Sequence, residues 1–567
     1  MPETNDHTVV TGAADFRIRV HNVLLNETTH VCSCHMNRVK RIATVPTCPN
    51  LFWSASEDGT VMQFDLRVPH TCSLGTGTCV LINLLNHLGQ GAEAKCLAIS
   101  PTQPELLAVG ANDPFVRLYD RRMIKATSIQ YPDNIMPRTT WERHFYLSTR
   151  AGEGDPDNNI PRGCVRYFVP GHLPPKNNDP NMRLVRGMAS TYLTFSSDGN
   201  DLLVNLGGEQ IYLFNVHSHQ KPLRFDVPDI TKAYDGAEKR VNGFSQGDAR
   251  LSEYSKEPLP KHVEEIKLCA NKAFEEKLYS KAVNMYSEAL TWYSKSALLY
   301  SNRAAALMKR AWEGDTYAAL RDCRTALKLD PLHMKSHFRM ARCLLELHRP
   351  REAQTCLADF AAQHAEHVKS HSFRALNKDV LRAIDLLTEH ETDGNPANGI
   401  SELESVWRDA ASDYQLRFCG HCNTTTDIKE ANFFGSDGRF IVAGSDDGSF
   451  FVWERDTGNI VRVLRGDDSI VNCLQPHPSS CLLATSGIDP VVRLWSPRPE
   501  EGENNDREVT DANQAATLNQ KRMRADPFEV MLMNMGYRAN AANAAQGEDG
   551  ENDGASVDIS TINCRAS

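Results

Sequence analysis

Two patterns in this 567-residue chain place charged side chains where they could grip a protein partner. The first is aromatic-Asp-x-Arg, present as Phe64-Asp65-Leu66-Arg67 and again as Tyr119-Asp120-Arg121-Arg122. Residues two apart on an extended strand project to the same side, so each Asp can orient its Arg and leave a planar, forked cation facing outward. The second is a polar set at helical spacing: Lys267 and Asn271 one turn apart, Asn302, then Lys335 and Arg339 one turn apart. Three cations and two amides converging on one concavity suit a peptide's terminal carboxylate and a neighbouring acidic side chain. Each pattern also has a plainer reading. An Asp followed by Arg is common at the end of a β unit, and lysines and arginines often do no more than solvate a helical face.

Nothing in the chain favours catalysis or a cofactor. Cys419-Gly420-His421-Cys422 and Cys32-Ser33-Cys34-His35 lack the spacing of four convergent zinc ligands. Cys422 has no sequence-marked base or oxyanion site, and no Gly-x-x-x-x-Gly-Lys phosphate loop occurs. We therefore expect no enzyme, no metal and no cofactor. The 62 basic and 72 acidic residues leave a net charge of −10, which lacks the basic footprint of a phosphate-backbone binder, so no direct nucleic-acid contact is expected. No apolar run approaches the ~18 residues of a membrane span, and Met1–Val10 is polar, so no membrane association is expected. The 16 cysteines are dispersed, as in a chain with reduced thiols, and the expected location is cytoplasmic and nuclear.

The elements that must hold these residues come from internal repetition. A strand, turn and strand unit ending in an aromatic appears at 52–65, 107–120, 441–454 and 483–496, with looser copies at 10–22 and 202–215. In each strong copy an Asp stands six residues before the aromatic: Asp58/Phe64, Asp113/Tyr119, Asp447/Trp453 and Asp489/Trp495. That spacing places the Asp in a hairpin turn and the aromatic between neighbouring sheets. His35 and His421 stand upstream, where a buried ring could bond Ser56 or Ser445 and through it the turn Asp. The pattern resembles the WD-repeat β-propeller, including Gly420-His421 ahead of Trp453-Glu454. About six units are visible, which leaves open a ring of seven lacking its N-terminal part or a ring that closes with six.

Between the repeat blocks the apolar period changes from two to 3.6, and residues 262–362 read as three helical hairpins. Small residues such as Ala270, Ala304 and Ala341 recur where paired helices cross, resembling tetratricopeptide repeats, with 373–387 as an amphipathic cap. The expected fold is thus a WD-repeat β-propeller with an inserted α-helical tetratricopeptide-repeat domain. Its parts are a first propeller block at 1–216, a linker at 217–257, the helical domain at 258–390, a linker at 391–412 and a second block at 413–497. An acidic tail at 498–567 is expected to be mostly disordered, with a short helix near 526–537. Residues 123–188 read as a long excursion between blades, and about three extra residues lie around Ala311–Asp315.

This domain order, with the segment from Arg417 to Trp453 and the tail ADPFEVMLMNMGYR, resembles the WD and tetratricopeptide repeats protein 1 family, also called adipose. The resemblance departs at the start, where the family's first blade and the opening of its second are absent. It implies a substrate receptor of a cullin-4 RING ubiquitin ligase that restrains lipid storage, with histones and histone deacetylases as further partners. The paired Asp-x-Arg boxes are similar to those with which such receptors dock on the damaged-DNA-binding adaptor. The set Lys267, Asn271, Asn302, Lys335 and Arg339 is similar to the carboxylate clamp that holds heat-shock chaperone C-termini.

Overall fold

The computed structural model describes residues 7–70, 80–84, 86, 91–124, 164–173, 188–218, 220–222, 258–392, 402–497 and 506–524. Among these residues, six antiparallel sheets carry the repeats. They comprise β1 (Thr8–Gly12), β2 (Ile18–Asn22) and β3 (Glu27–Cys32); β4 (Val39–Thr44), β5 (Leu51–Ser56), β6 (Thr60–Asp65) and β7 (Val80–Asn83); and β8 (Ala94–Ile99), β9 (Leu106–Ala111), β10 (Val116–Asp120) and β11 (Cys164–Phe168). Then come β12 (Ser190–Phe195), β13 (Asp201–Leu206), β14 (Ile211–Asn215) and β15 (Leu416–Phe418); β16 (Ala431–Phe434), β17 (Phe440–Gly444), β18 (Ser449–Glu454) and β19 (Ile460–Arg465); and β20 (Val471–Pro476), β21 (Leu483–Gly487) and β22 (Val492–Trp495). Sheets consecutive in sequence touch one another, through β1 and β4, β4 and β8, β8 and β12, β12 and β16, then β16 and β20. Strands inside this stack are covered on both faces, so β10 and β13 are buried along their whole length. The first and last sheets each have three strands, and β22 leaves Val492 and Leu494 exposed.

The turn after Asp58 and the turn after Asp447 both need a left-handed residue, supplied by Gly59 (φ 84°) and Gly448 (φ 81°). A Cβ on either would fall within 2.9 Å or 2.5 Å of a neighbouring carbonyl oxygen, so only glycine fits. The aromatics take the inter-sheet position expected of them. Trp453 is fully buried in one cluster with Leu203, Leu213 and Phe418 of the preceding sheet.

The helical domain pairs α1 (Lys261–Glu275) with α2 (Tyr279–Trp292), α3 (Ala297–Arg310) with α4 (Asp315–Leu329), and α5 (Met334–Glu346) with α6 (Pro350–Gln363). A long α7 (His371–Thr392) packs on α6 at the end of the array. Ala270, Ala304, Ala319, Ala341 and Ala353 are fully buried where helices cross, because a methyl allows close approach. This domain interrupts one sheet: β14 precedes it and β15 follows it, yet Ile211 pairs with Phe418 and Leu213 with Leu416. The extra loop residues between α3 and α4 join the two parts. They bury Trp312 in the cluster around Trp453 and place Asp315 against Arg417 on β15.

Several sequence expectations change. The 123–188 excursion contains β11, the fourth strand of the third sheet. The 391–412 linker contains α8 (Glu402–Ala410), whose Trp407 stacks on Tyr167 at 5.1 Å and meets Phe115 edge-on. The tail contains α9 (Ala512–Arg524), with Ala516 and Asn519 buried. The helix expected near 526–537 lies outside the described residues, as does most of the 217–257 linker.

Candidate functional site

Both Asp-x-Arg boxes close the third strand of a sheet at the same register, with Asp65 opposite Leu51 and Asp120 opposite Leu106. Each Arg leaves its strand and folds back on its Asp. Arg67 donates to Asp65 from its backbone N (3.0 Å), Nε (2.9 Å) and a terminal nitrogen (2.8 Å). Arg122 repeats this on Asp120 from its backbone N (3.0 Å), Nε (3.0 Å) and a terminal nitrogen (2.6 Å). The guanidinium beside each Asp holds that carboxyl below the usual carboxylate range. The Arg side chains nevertheless stay 64% and 69% exposed, so one edge of each fork faces solvent. Arg121, which the sequence did not single out, braces the pair. It stacks 4.5 Å from the Trp53 ring, donates to Gln63 of the neighbouring sheet at 3.1 Å, and anchors on the Pro104 carbonyl.

The helical polar set divides. Asn271 accepts from the Tyr286 hydroxyl at 2.6 Å and from Asn302 at 3.4 Å, which brings α1 and α3 together. Arg339 reaches from α5 to α3 and donates to the Ser301 carbonyl (2.7 Å) and hydroxyl (2.6 Å), beside Asn302. Lys267 is ion-paired with Glu264 at 2.6 Å and only 14% exposed. Lys335, one turn before Arg339, is exposed. Three of the five residues therefore cluster, and two cations stand one turn away on the flanking helices.

The blade network departs from expectation. His35 bonds Ser54 (2.6 Å) and Asp58 (3.0 Å) directly, whereas Ser56 donates to the Asn37 carbonyl at 3.1 Å. His421 does not reach Ser445 or Asp447. It lies 3.3 Å from Asn205 of the preceding sheet, and burial beside Lys429 pushes its pKa down to about 3. Ser445 instead accepts from the Cys422 backbone, while Asn519 of α9 donates to Asp447 at 2.9 Å and to the Gly420 carbonyl at 3.0 Å. A polar residue from the tail thus completes the fifth sheet's turn. In the sixth sheet Asp489 holds Arg493 and the Asp468 backbone, both at 3.1 Å, and Trp495 donates to Thr485 at 2.9 Å.

Six WD-type sheets among the described residues, interrupted by a tetratricopeptide-repeat insertion, define a repeat-built protein-interaction scaffold. The family model for the WD domain, G-beta repeat, matches residues 413–454 and 458–496. Over 598 aligned residues the chain is 45% identical to WD and tetratricopeptide repeats protein 1 of Homo sapiens, covering 100% of this chain and 86% of that protein. It is 28% identical over 635 residues to Protein ALTERED SEED GERMINATION 2 of Arabidopsis thaliana, covering 88% and 78%. A shorter stretch of 86 residues is 46% identical to DDB1- and CUL4-associated factor 6 of Homo sapiens, covering 15% of this chain and 10% of that one. The chain belongs to the WD and tetratricopeptide repeats protein 1 family.

Proposed function

We propose that the chain is a non-catalytic substrate receptor of a cullin-4 RING ubiquitin ligase in the cytoplasm and nucleus. The edge carrying Arg67 and Arg122 docks the ligase's damaged-DNA-binding adaptor, and the remaining surface presents the target. The observation that carries this reading is the repeated geometry: two guanidinium forks, each fixed by its own Asp, exposed on neighbouring sheets. Oriented arginines of this kind are common anchors of protein interfaces, each worth about 2 kcal/mol or more when they dominate binding. The shared stretch with a relative whose name records association with DDB1 and CUL4 supports the same assignment. Arg67→Ala with Arg122→Ala is expected to reduce adaptor affinity roughly thirtyfold or more while leaving thermal stability unchanged. Co-purification of the adaptor at wild-type levels would refute the assignment.

The convergence of Asn271, Asn302 and Arg339 favours a second reading. On it the helical groove holds an acidic peptide with a free C-terminal carboxylate, such as the tails of heat-shock chaperones. The protein then serves as a chaperone-linked or chromatin-linked scaffold for histones and histone deacetylases. A role in restraining lipid storage would follow from either complex.

A further inference from the structure

A cleft of about 260 Å³ opens where the outer side of α2, α3 and α4 meets β15 and the turn between β18 and β19. Neither docking site uses it. Four arginines line it, Arg303, Arg310, Arg321 and Arg417, against a single acidic residue, Asp322.

The ion pairs around the cleft do not balance. Arg303 takes both oxygens of Asp322, at 2.8 and 2.7 Å, and donates from its other terminal nitrogen to the Ser287 hydroxyl at 3.2 Å. Arg310 and Arg417 share one carboxylate, Asp315, and Arg417 also donates to the Glu313 carbonyl. Arg321 has no carboxylate within ion-pair distance among the described residues; it donates to the Gln415 carbonyl at a long 3.3 Å and interacts with Tyr414 and, beyond ion-pair distance, with Asp413. Its guanidinium lies 4.5 Å over the Tyr414 ring, which fixes its plane. The acids behind this wall restore part of the balance, because the Asp413 carboxylate lies near enough to favour the Arg321 charge. Asp413 is occupied by the Tyr317 hydroxyl (2.7 Å) and by the Gly171 and Tyr414 backbone N–H groups (both 2.9 Å), and burial raises its pKa. Glu209, near Arg417, is pushed up to about 8 by burial.

Partly desolvated cations ordinarily occur paired, because an isolated one costs more than its local contacts return. Four forks facing three carboxylates leave a positive excess of one in a half-open, half-polar cleft. Guanidinium donors match the oxygen spacing of phosphate, and Ser287, Thr325 and Asn459 add neutral polar groups to the walls. We propose that this cleft binds a small phosphate-bearing anion, held chiefly by Arg321 with Arg303 alongside. Such a ligand bridges the helical domain and β15, so its occupancy ties the inserted domain to the sheets. The cleft's size favours a free metabolite-sized phosphate ester over a folded partner's surface.

Pyrophosphate titrated into the full chain, against sodium chloride at matched ionic strength, tests the site by calorimetry and thermal unfolding. Saturable binding and a rise in Tm are expected for the wild type, because a ligand of the folded state alone stabilises it. Arg321→Met is expected to weaken binding roughly tenfold or more. Thr325→Glu, which puts a carboxylate into the same space, is expected to abolish binding while raising the Tm of the unligated protein. The second variant keeps the test decisive if the first misfolds. Absence of saturable binding, or binding unchanged in Thr325→Glu, overturns the proposal.

Discussion

The edge bearing Arg67 and Arg122 and the groove bearing Asn271, Asn302 and Arg339 both hold polar residues suited to carboxylates, but they keep them in different states. At the edge each Arg is held by its own Asp, Arg122 also lying 3.6 Å from Glu105, and remains more than half exposed, so a partner meets a fork already held in place. In the groove, Asn271 is committed to Tyr286 and Asn302, and Arg339 to Ser301. A peptide carboxylate there must replace internal hydrogen bonds, and only the difference between old and new bonds favours binding. A large docking surface gains most from oriented groups that need not rearrange. The groove is better suited to a ligand that brings strong charge, such as two adjacent carboxylates, and that exchanges readily.

The largest effect expected from this contrast is the loss of adaptor binding in Arg67→Ala with Arg122→Ala; the same variant should bind an acidic peptide as the wild type does. Next comes the reverse experiment. Lys335→Ala with Arg339→Ala should weaken an acidic free-carboxylate peptide by about tenfold, measured by fluorescence anisotropy, and leave the adaptor untouched. An amidated peptide should lose little between wild type and variant. If both variants impair both ligands equally, the two regions are not separate sites.

The smallest effect concerns the seam that joins the regions. Burial pushes Glu209 up to about 8 from an ordinary 4.5, so the folded protein keeps a proton that the unfolded chain releases. Stability from this group is therefore full below 4.5 and falls as pH rises toward 8. Chemical denaturation of Glu209→Gln across that range should show a flatter profile than the wild type. An unchanged slope would mean that Glu209 titrates normally in the fold.

Sequence spacing located most of the architecture because the repeats carry strong periodic signals. The Asp-to-aromatic interval, present in four copies, was enough to place Phe64, Tyr119, Trp453 and Trp495, and the alanine spacing marked the helix crossings. What it missed lacks such a signal. Ser54 and Ser56 lie on the same strand face, so alternation could not decide which one His35 reaches. Helix α9 is mostly polar and is held by buried Asn519 and Gln520, so it shows no clear apolar stripe. Helix α8 is only nine residues long and docks largely through Trp407. The arginine cleft was illegible for a different reason: Arg303 and Arg321 come from the helical domain and Arg417 from β15, and only the fold brings them together. Of the candidate site residues, the pairing of Arg67 with Asp65 and of Arg122 with Asp120 agrees with their spacing, but both arginines lie beyond the strand end rather than on its alternating face, whereas the groove set kept its positions but not its freedom.

Hydrogen exchange of the full chain with and without the damaged-DNA-binding adaptor tests the central claim most directly. The account predicts new protection at the backbone amides of Leu66–Val68 and Arg121–Ile124, with the helical groove unchanged. Protection confined to α1, α3 and α5, with both Asp-x-Arg turns exchanging as freely as before, would contradict it.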